Sequence, residues 1–163
     1  MIHLQKILVP TDFSLPSQKA LRYAIEFGKH FGCEVVLLHV VERPAFPPAF
    51  RSEGTAASEL DAQQRAWAEG ELAKMIREEV PSGVQARTIL RGGMAASEVI
   101  AIAKSEEVDL IVMATAGQGF LQHMLMGSVA EKVVRKAPCA VLIVREDEKD
   151  FVMPWGEGGG PTM

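Results

Sequence analysis

Four short apolar runs constrain this chain more than any other feature. KILVP (6–10), EVVLLHVV (34–41), VDLIVMA (108–114) and CAVLIV (139–144) are almost unbroken by polar residues. A strand with one wet face alternates apolar and polar side chains, whereas a strand covered on both faces reads as a continuous apolar run. Each run is far shorter than the ~20 residues a membrane helix needs. Segments of helical period lie between them. In TDFSLPSQKALRYAIEFGKHFGC (11–33), Leu21, Ala24, Ile25 and Gly28 recur at helical spacing, Ser14 can cap, and Pro16 suits a first turn. SELDAQQRAWAEGELAKMIREEV (58–80) predicts a long helix with Leu60, Trp67, Leu72 and Ile76 on or near one inward stripe. VQARTIL (84–90) alternates and predicts a further strand, and GGMAASEVIAIAKSEE (92–107) a turn followed by a helix. GSVAEKVVRKA (127–137) predicts a helix with Val129, Val133 and Val134 inward and its cations toward the C-terminus, where they suit the dipole. Five strands alternating with four helices predict an α/β fold, an open parallel sheet with helices on both faces.

At 163 residues the chain has the length of one domain, and no repeat calls for a second. The net charge of −4 gives no basic surface for nucleic acid, and Trp67 and Trp155 are not interleaved with basic residues. The start, MIHLQKILVP, lacks the pattern of a signal peptide. Cys33 and Cys139 have no metal-ligand spacing, so both read as small core residues in a reducing compartment. The expected location is cytoplasmic, with no membrane insertion. Segment 42–56 is Pro-rich and non-periodic, a loop that serves as a lid or as a partner epitope. Residues 146–163 form a polar, Gly-rich tail beyond a domain of residues 1–145.

In open parallel sheets ligands bind beyond the carboxyl ends of the strands, where strand order reverses. Two such loops carry unusual chemistry: PTDFS (10–14) after the first strand, and ATAGQGFLQHMLMGS (114–128) after the fourth. A sheet ordered 3-2-1-4-5 would set them side by side. Glycines let backbone N–H groups approach an anion, and Gly127-Ser128 opens a helix whose free N–H groups favour phosphate. The same glycines also suit a tight turn without any ligand. Asp12 is a poor neighbour for phosphate but a good acceptor for ribose hydroxyls or a base amino group. It can also cap the first helix, with Thr11 and Ser14 helping.

These residues resemble the universal stress protein family, over residues 3 to 145. The carriers are KILVPTDFS (6–14), LLHVV (37–41), DLIVMA (109–114) and GSVAEKVVRKAPCAVLIV (127–144). Gly117, nine intervening residues, Gly127 and Ser128 match the end of the family's nucleotide pattern. Ala114 stands where the family usually has Gly, and Ala116 where histidine is frequent. Ala114 keeps the small size, so weakened rather than lost binding is expected. The resemblance implies a Rossmann-like sheet in the order 3-2-1-4-5, of the adenine nucleotide alpha-hydrolase-like type, and ATP as ligand, with Mg²⁺ held mainly by the phosphates and none by the protein. It also implies a site built from Pro10, Thr11 and Asp12 around the adenosine, with Val40 (or its neighbour Val41) on adenine. Met113 and Ala114 would line it, and Gly117, Gly127, Ser128 and Val129 would meet the phosphates. Gln118 and His123 lie within the loop. A homodimer is implied too. Strand 139–144 would be an apolar sheet edge, satisfied by pairing with its copy or covered by the tail.

The function expected is an ATP-binding regulatory module of the stress response. A nucleotide-free adaptor is the alternative, and slow ATP hydrolysis ranks lower, since no P-loop lysine and no second carboxylate near Asp12 are evident; no catalytic residue is assigned. A phosphoacceptor receiver domain would want an acidic cluster by the first strand and a lysine after a later one, and neither is present.

Overall fold

The computed structural model describes residues 3–42, 55–115 and 126–149. In chain order the elements are β1 (Lys6–Pro10), α1 (Leu15–Phe31), β2 (Glu34–Glu42), α2 (Thr55–Glu79), β3 (Ala86–Gly93), α3 (Ala95–Ser105), β4 (Leu110–Ala114), α4 (Ser128–Lys136) and β5 (Ala140–Val144). The five strands form one sheet in the order β3-β2-β1-β4-β5, every pair parallel. The expected fold and strand order are therefore the observed ones.

The apolar runs are explained by the layers. Successive side chains of a strand point to opposite faces. Ile7 and Val9 of β1, Val35 and Leu37 of β2 and Val112 of β4 pack with α1 and α2 on one face. Leu8, Val36, Leu38, Ile111 and Met113 pack with α3 and α4 on the other. Ile7, Leu8 and Val9 are wholly buried, and each such side chain stabilises the fold by about 1.5–3 kcal/mol. Gly28 lets α1 pack closely: a Cβ there would lie 2.9 Å from Val84 Cγ1, just before β3, and 3.4 Å from Val35 Cγ2 of β2. Gly32 ends α1 in the left-handed region at φ 67°, its N–H donating to the Gly28 carbonyl at 2.9 Å. Cys33 is buried and Cys139 half-buried, and burial pushes both thiols up, as suits unreactive packing residues.

Four expectations shift. Leu60 and Trp67 are not inward: they are 57% and 58% exposed, and the buried stripe of α2 runs through Ala68, Leu72 and Met75 at i, i+4 and i+7. Val134 is 45% exposed, because Ala130 and Val133 are the residues that α4 turns to the sheet. β3 runs on through Gly93 instead of stopping near residue 90, since Arg91, Gly92 and Gly93 pair with Val40, Val41 and Glu42. That extension comes from the neighbouring strand, and local alternation does not announce it. α2 begins at Thr55, inside the segment expected to be loop.

Candidate functional site

β1 and β4 are neighbours at the centre of the sheet, and the chain leaves them toward opposite faces, to α1 and to α4. A crevice opens at such a reversal. Here it is a cleft of about 740 Å³, within the usual range for small-molecule sites.

One wall is the turn after β1. Thr11 is buried; its N–H donates to the Leu38 carbonyl at 2.8 Å, and its Oγ1 accepts from Phe13 N–H at 3.0 Å. Ser17 Oγ donates to the Ser14 carbonyl at 2.8 Å, and Thr11 Oγ1 and Ser17 Oγ share a hydrogen bond of 2.9 Å in which either hydroxyl can be the donor. Asp12 Oδ1 accepts from Ser14 N–H at 3.1 Å and from Ser14 Oγ–H at 2.5 Å. Ser14 is the helix cap, with its Oγ accepting from Ser17 N–H at 3.4 Å. Asp12 thus does not cap α1 itself. It orients the residue that does, and it also lines the cleft. Between them Phe13 sits at φ 65°, a conformation costing a bulky residue roughly 1–2 kcal/mol. Such strain persists only where its surroundings fix it. Here the Thr11 and Asp12 bonds on either side do so, and Phe13 packs on His39 with ring centroids 4.3 Å apart and planes tilted by 33°. His39 Nδ1 lies 2.8 Å from the Thr11 carbonyl. A carbonyl can only accept, so Nδ1 carries the proton.

The opposite wall is the start of α4. Glu131 N–H donates to the Gly127 carbonyl at 2.9 Å, the first bond of the helical ladder. The N–H groups of Ser128, Val129 and Ala130 therefore have no acceptor within the helix. The N-cap is Gly127, in an extended conformation, with no side chain to cover them. Gly127's own N–H donates to the Thr115 carbonyl at 2.6 Å, and Thr115 N–H to the Val144 carbonyl at 3.1 Å, which ties the start of α4 to the ends of β4 and β5. The N–H of Gly127 is thus committed within the protein, and the next three face the cleft end of the helix.

The structure brings Pro10, Thr11, Asp12, Val40, Met113, Ala114, Gly127, Ser128 and Val129 together on this one cleft, and Val41 joins Val40 in its lining. Gly117, with Ala116, Gln118 and His123, lies outside the described residues. Ala114 is the last residue of β4 and has no positive φ, so its backbone does not require glycine. Sequence reasoning missed His39, Gln64, Trp67 and Thr115, which also line the cleft. No local signal sets Trp67 apart, because the stripe of Ala68, Leu72 and Met75, about 100° around α2 from it, is defined only by packing on the sheet. Among the described residues no group of three or more His, Cys, Asp or Glu side chains is arranged to hold a metal, and no helix is long and apolar enough to cross a membrane.

The family model of the Universal stress protein family matches residues 3–145. The chain belongs to that family. Universal stress protein MJ0531 of Methanocaldococcus jannaschii is 36% identical over 148 residues, 90% of this chain and 85% of the relative. The solved structure of protein MJ0577 of the same organism superposes with a TM-score of 0.79 at 30% identity, covering 91% of this chain and all 100% of that one. A universal stress protein from Archaeoglobus fulgidus, solved in complex with dAMP, shares the fold at 21% identity and a TM-score of 0.55, covering 88% of this chain and 98% of that one.

Proposed function

We propose that the cleft binds ATP, with Mg²⁺ carried mainly on the phosphates, and that the protein is a nucleotide-dependent regulatory binding module of the stress response. The observation that carries this is the pairing of an uncapped helix start with a carboxylate-bearing turn on one cleft: α4 begins at Gly127 without a side-chain cap, and Asp12 lines the same cavity. The donor set fits the ligand. Backbone N–H groups at a helix N-terminus, with the positive end of its dipole, suit phosphate, and Ser128 adds a hydroxyl. Asp12 suits the ribose hydroxyls. Val40, Val41 and Met113 make the apolar surface that a base needs. Gly117 is proposed to extend the phosphate-binding loop. A protein of the same fold was solved with dAMP, which supports an adenine nucleotide at the level of fold. When bound, ATP would supply charge and bulk that tie the two walls together; the chain's own residues bind and orient it, and no turnover is part of this reading.

The working unit is proposed to be residues 1–145, followed by the tail, in a cytoplasmic homodimer joined through the strand at 139–144. β5 is a sheet edge whose Val141, Leu142 and Ile143 are only half-buried. An open apolar edge is an association hazard unless paired. The tail residues 146–149 lie instead against α1, where Lys19 Nζ donates to the carbonyls of Glu146 and Glu148 and Tyr23 Oη to that of Lys149. Sedimentation of the full chain tests the dimer.

The test of the ligand is calorimetric titration of nucleotide-stripped protein with Mg²⁺-ATP, beside Asp12→Ala and Gly127→Val. Binding by the wild type, weakened at least about tenfold in both variants, is expected from losing one charge-assisted hydrogen bond or blocking the helix start. A wild type that ignores ATP at millimolar concentration sinks the reading and leaves a nucleotide-free adaptor.

A further inference from the structure

The rim of the cleft is closed by a helix that the site's sequence motifs do not include. α2 places Gln64 and Trp67 three residues apart, hence on one face, and both line the cavity. Trp67 is the largest apolar side chain left open among the described residues, at 58% exposure. It is nonetheless held in place. Its ring meets Phe13 edge-on, centroids 5.2 Å apart and planes at 80°. Phe13 packs on His39 in a tilted ring contact, and His39 is tied to the Thr11 carbonyl, next to Asp12. A run of three rings therefore links the cleft's acidic turn to its outer rim.

A tryptophan buried for packing would turn its faces into the core. This one meets Phe13 at nearly a right angle, stays more than half exposed and lines a concave surface, the arrangement of a stacking platform. Beside it, Gln64 carries an amide that both donates and accepts, and a planar amide can bond two adjacent groups on the edge of a purine. Among the described residues that amide has no hydrogen-bond partner.

We infer that Trp67 and Gln64 are the base-selecting wall of the cleft: Trp67 stacks on the heterocycle, and Gln64 reads the edge of a purine. This rests on the nucleotide reading of the cleft given above. It divides the labour in the site. The start of α4 holds phosphate and is indifferent to the base, Asp12 holds the sugar, and α2 sets the preference for a purine over a pyrimidine.

The test uses the full chain, stripped of nucleotide, in a W155F background so that Trp67 is the sole tryptophan of the two in the sequence. Mg²⁺-ATP, Mg²⁺-CTP and inorganic tripolyphosphate are titrated against emission and calorimetry. ATP is expected to quench Trp67, and tripolyphosphate to bind without quenching. W67A should weaken ATP about tenfold, as expected for losing one base–aromatic stack, and leave tripolyphosphate within twofold. W67F should recover most of the loss, and Q64A should narrow the gap between ATP and CTP. ATP affinity unchanged in W67A overturns the inference while the nucleotide reading stands. Equal loss of ATP and tripolyphosphate in W67A, or a shifted monomer–dimer balance with ATP affinity intact, also overturns it, making Trp67 a packing or interface residue. If the wild type binds neither ATP nor tripolyphosphate, the nucleotide reading falls and the inference falls with it.

Discussion

The two ends of the sheet use charge in opposite ways. At the amino ends of the strands charged groups are satisfied by the protein. Asp109 Oδ2 accepts from the N–H groups of Gln5 and Lys6 at 2.8 and 2.9 Å. Arg87 bridges Glu34 Oε1 at 2.9 Å and Glu106 Oε2 at 2.5 Å, and Lys6 Nζ donates to the Glu106 carbonyl at 2.8 Å. At the carboxyl ends the donors of α4 are left facing a cleft. The contrast recurs within the cleft itself. Both α3 and α4 start without a side-chain bond from the N-cap residue. Yet the α3 start has Glu42 beside it, Oε1 lying 3.4 Å from Ala95 N–H, and α4 begins at glycine with no carboxylate cap. Each helix has a glutamate in its first turn, Glu98 in α3 and Glu131 in α4, the latter paired with Arg135 at 2.8 Å. The difference lies in Glu42, which reaches the first N–H of α3 and has no counterpart among the described residues at α4. Donors at the amino ends are matched to acceptors within the chain, and the open donors of α4 are the ones proposed above to take a ligand.

The sharpest way to break this contrast is to close the open helix. Gly127 has φ −74° and ψ 158°, an ordinary N-cap conformation that aspartate adopts without strain. Gly127→Asp would place a carboxylate on the N–H groups of Val129 and Ala130. We predict stability higher by a few tenths of a kcal/mol and ATP affinity lower by about 100-fold or more, from repulsion and lost donors together. Thermal unfolding and calorimetry on the same sample check both signs. Affinity that survives the substitution would mean the phosphates do not sit at α4.

Asp109→Ala breaks the other end. It removes one carboxylate that accepts from two backbone donors, one of them half-buried. Charge-assisted bonds of this kind are worth about 1.5–3 kcal/mol each, less where exposed, so a loss of about 2 kcal/mol is expected in urea unfolding. ATP affinity below the unfolding transition should stay within twofold. A large affinity loss in this variant would show that the two ends are coupled.

Arg87 gives the pH dependence. Its hydrogen bond to Glu106 holds that carboxyl below the ordinary glutamate range, with weaker help from Lys6. A carboxyl whose folded pKa is depressed contributes stability above its unfolded pKa and loses it as pH falls through the folded value. The contribution is therefore complete at neutral pH and fades below about pH 4.5, the ordinary value for the group. Arg87→Gln should lower stability slightly at pH 7 and flatten the fall below pH 4.5. The effect is modest because the pair is partly exposed. A wild type and variant whose stabilities run parallel from pH 7 to pH 3 would remove Arg87 as the cause.

The architecture was legible because strand burial writes itself into composition: β1, β2 and β4 are covered on both faces, and their apolar runs say so. The two ends of the cleft were legible because glycine at a helix start and aspartate after a first strand are local signals. Trp67 was not. Its position on α2 is set by which stripe meets the sheet, and Ala68, Leu72 and Met75 take that stripe although the tryptophan is the larger side chain. The commitment of the Gly127 N–H to Thr115 was equally hidden, since it depends on where two chain segments meet in space. His39 escaped notice because β2 otherwise reads as uniform core.

The smallest effect belongs to Glu42. Its carboxylate is exposed and lies at the long limit of a hydrogen bond from Ala95 N–H, so it interacts with the α3 dipole more than it caps the helix. Glu42→Gln should cost about 0.3–1 kcal/mol at low ionic strength, and less in salt. It also removes a negative charge from the rim of a cleft proposed to take a polyanion, so ATP affinity should rise by about two- to threefold at low salt, and the gain should vanish as salt screens it. Opposite signs for stability and affinity are what the contrast between the two helix starts demands. If affinity falls on removing this charge, Glu42 is a ligand contact, through a metal or a hydroxyl, and α3 is part of the site rather than its closed counterpart.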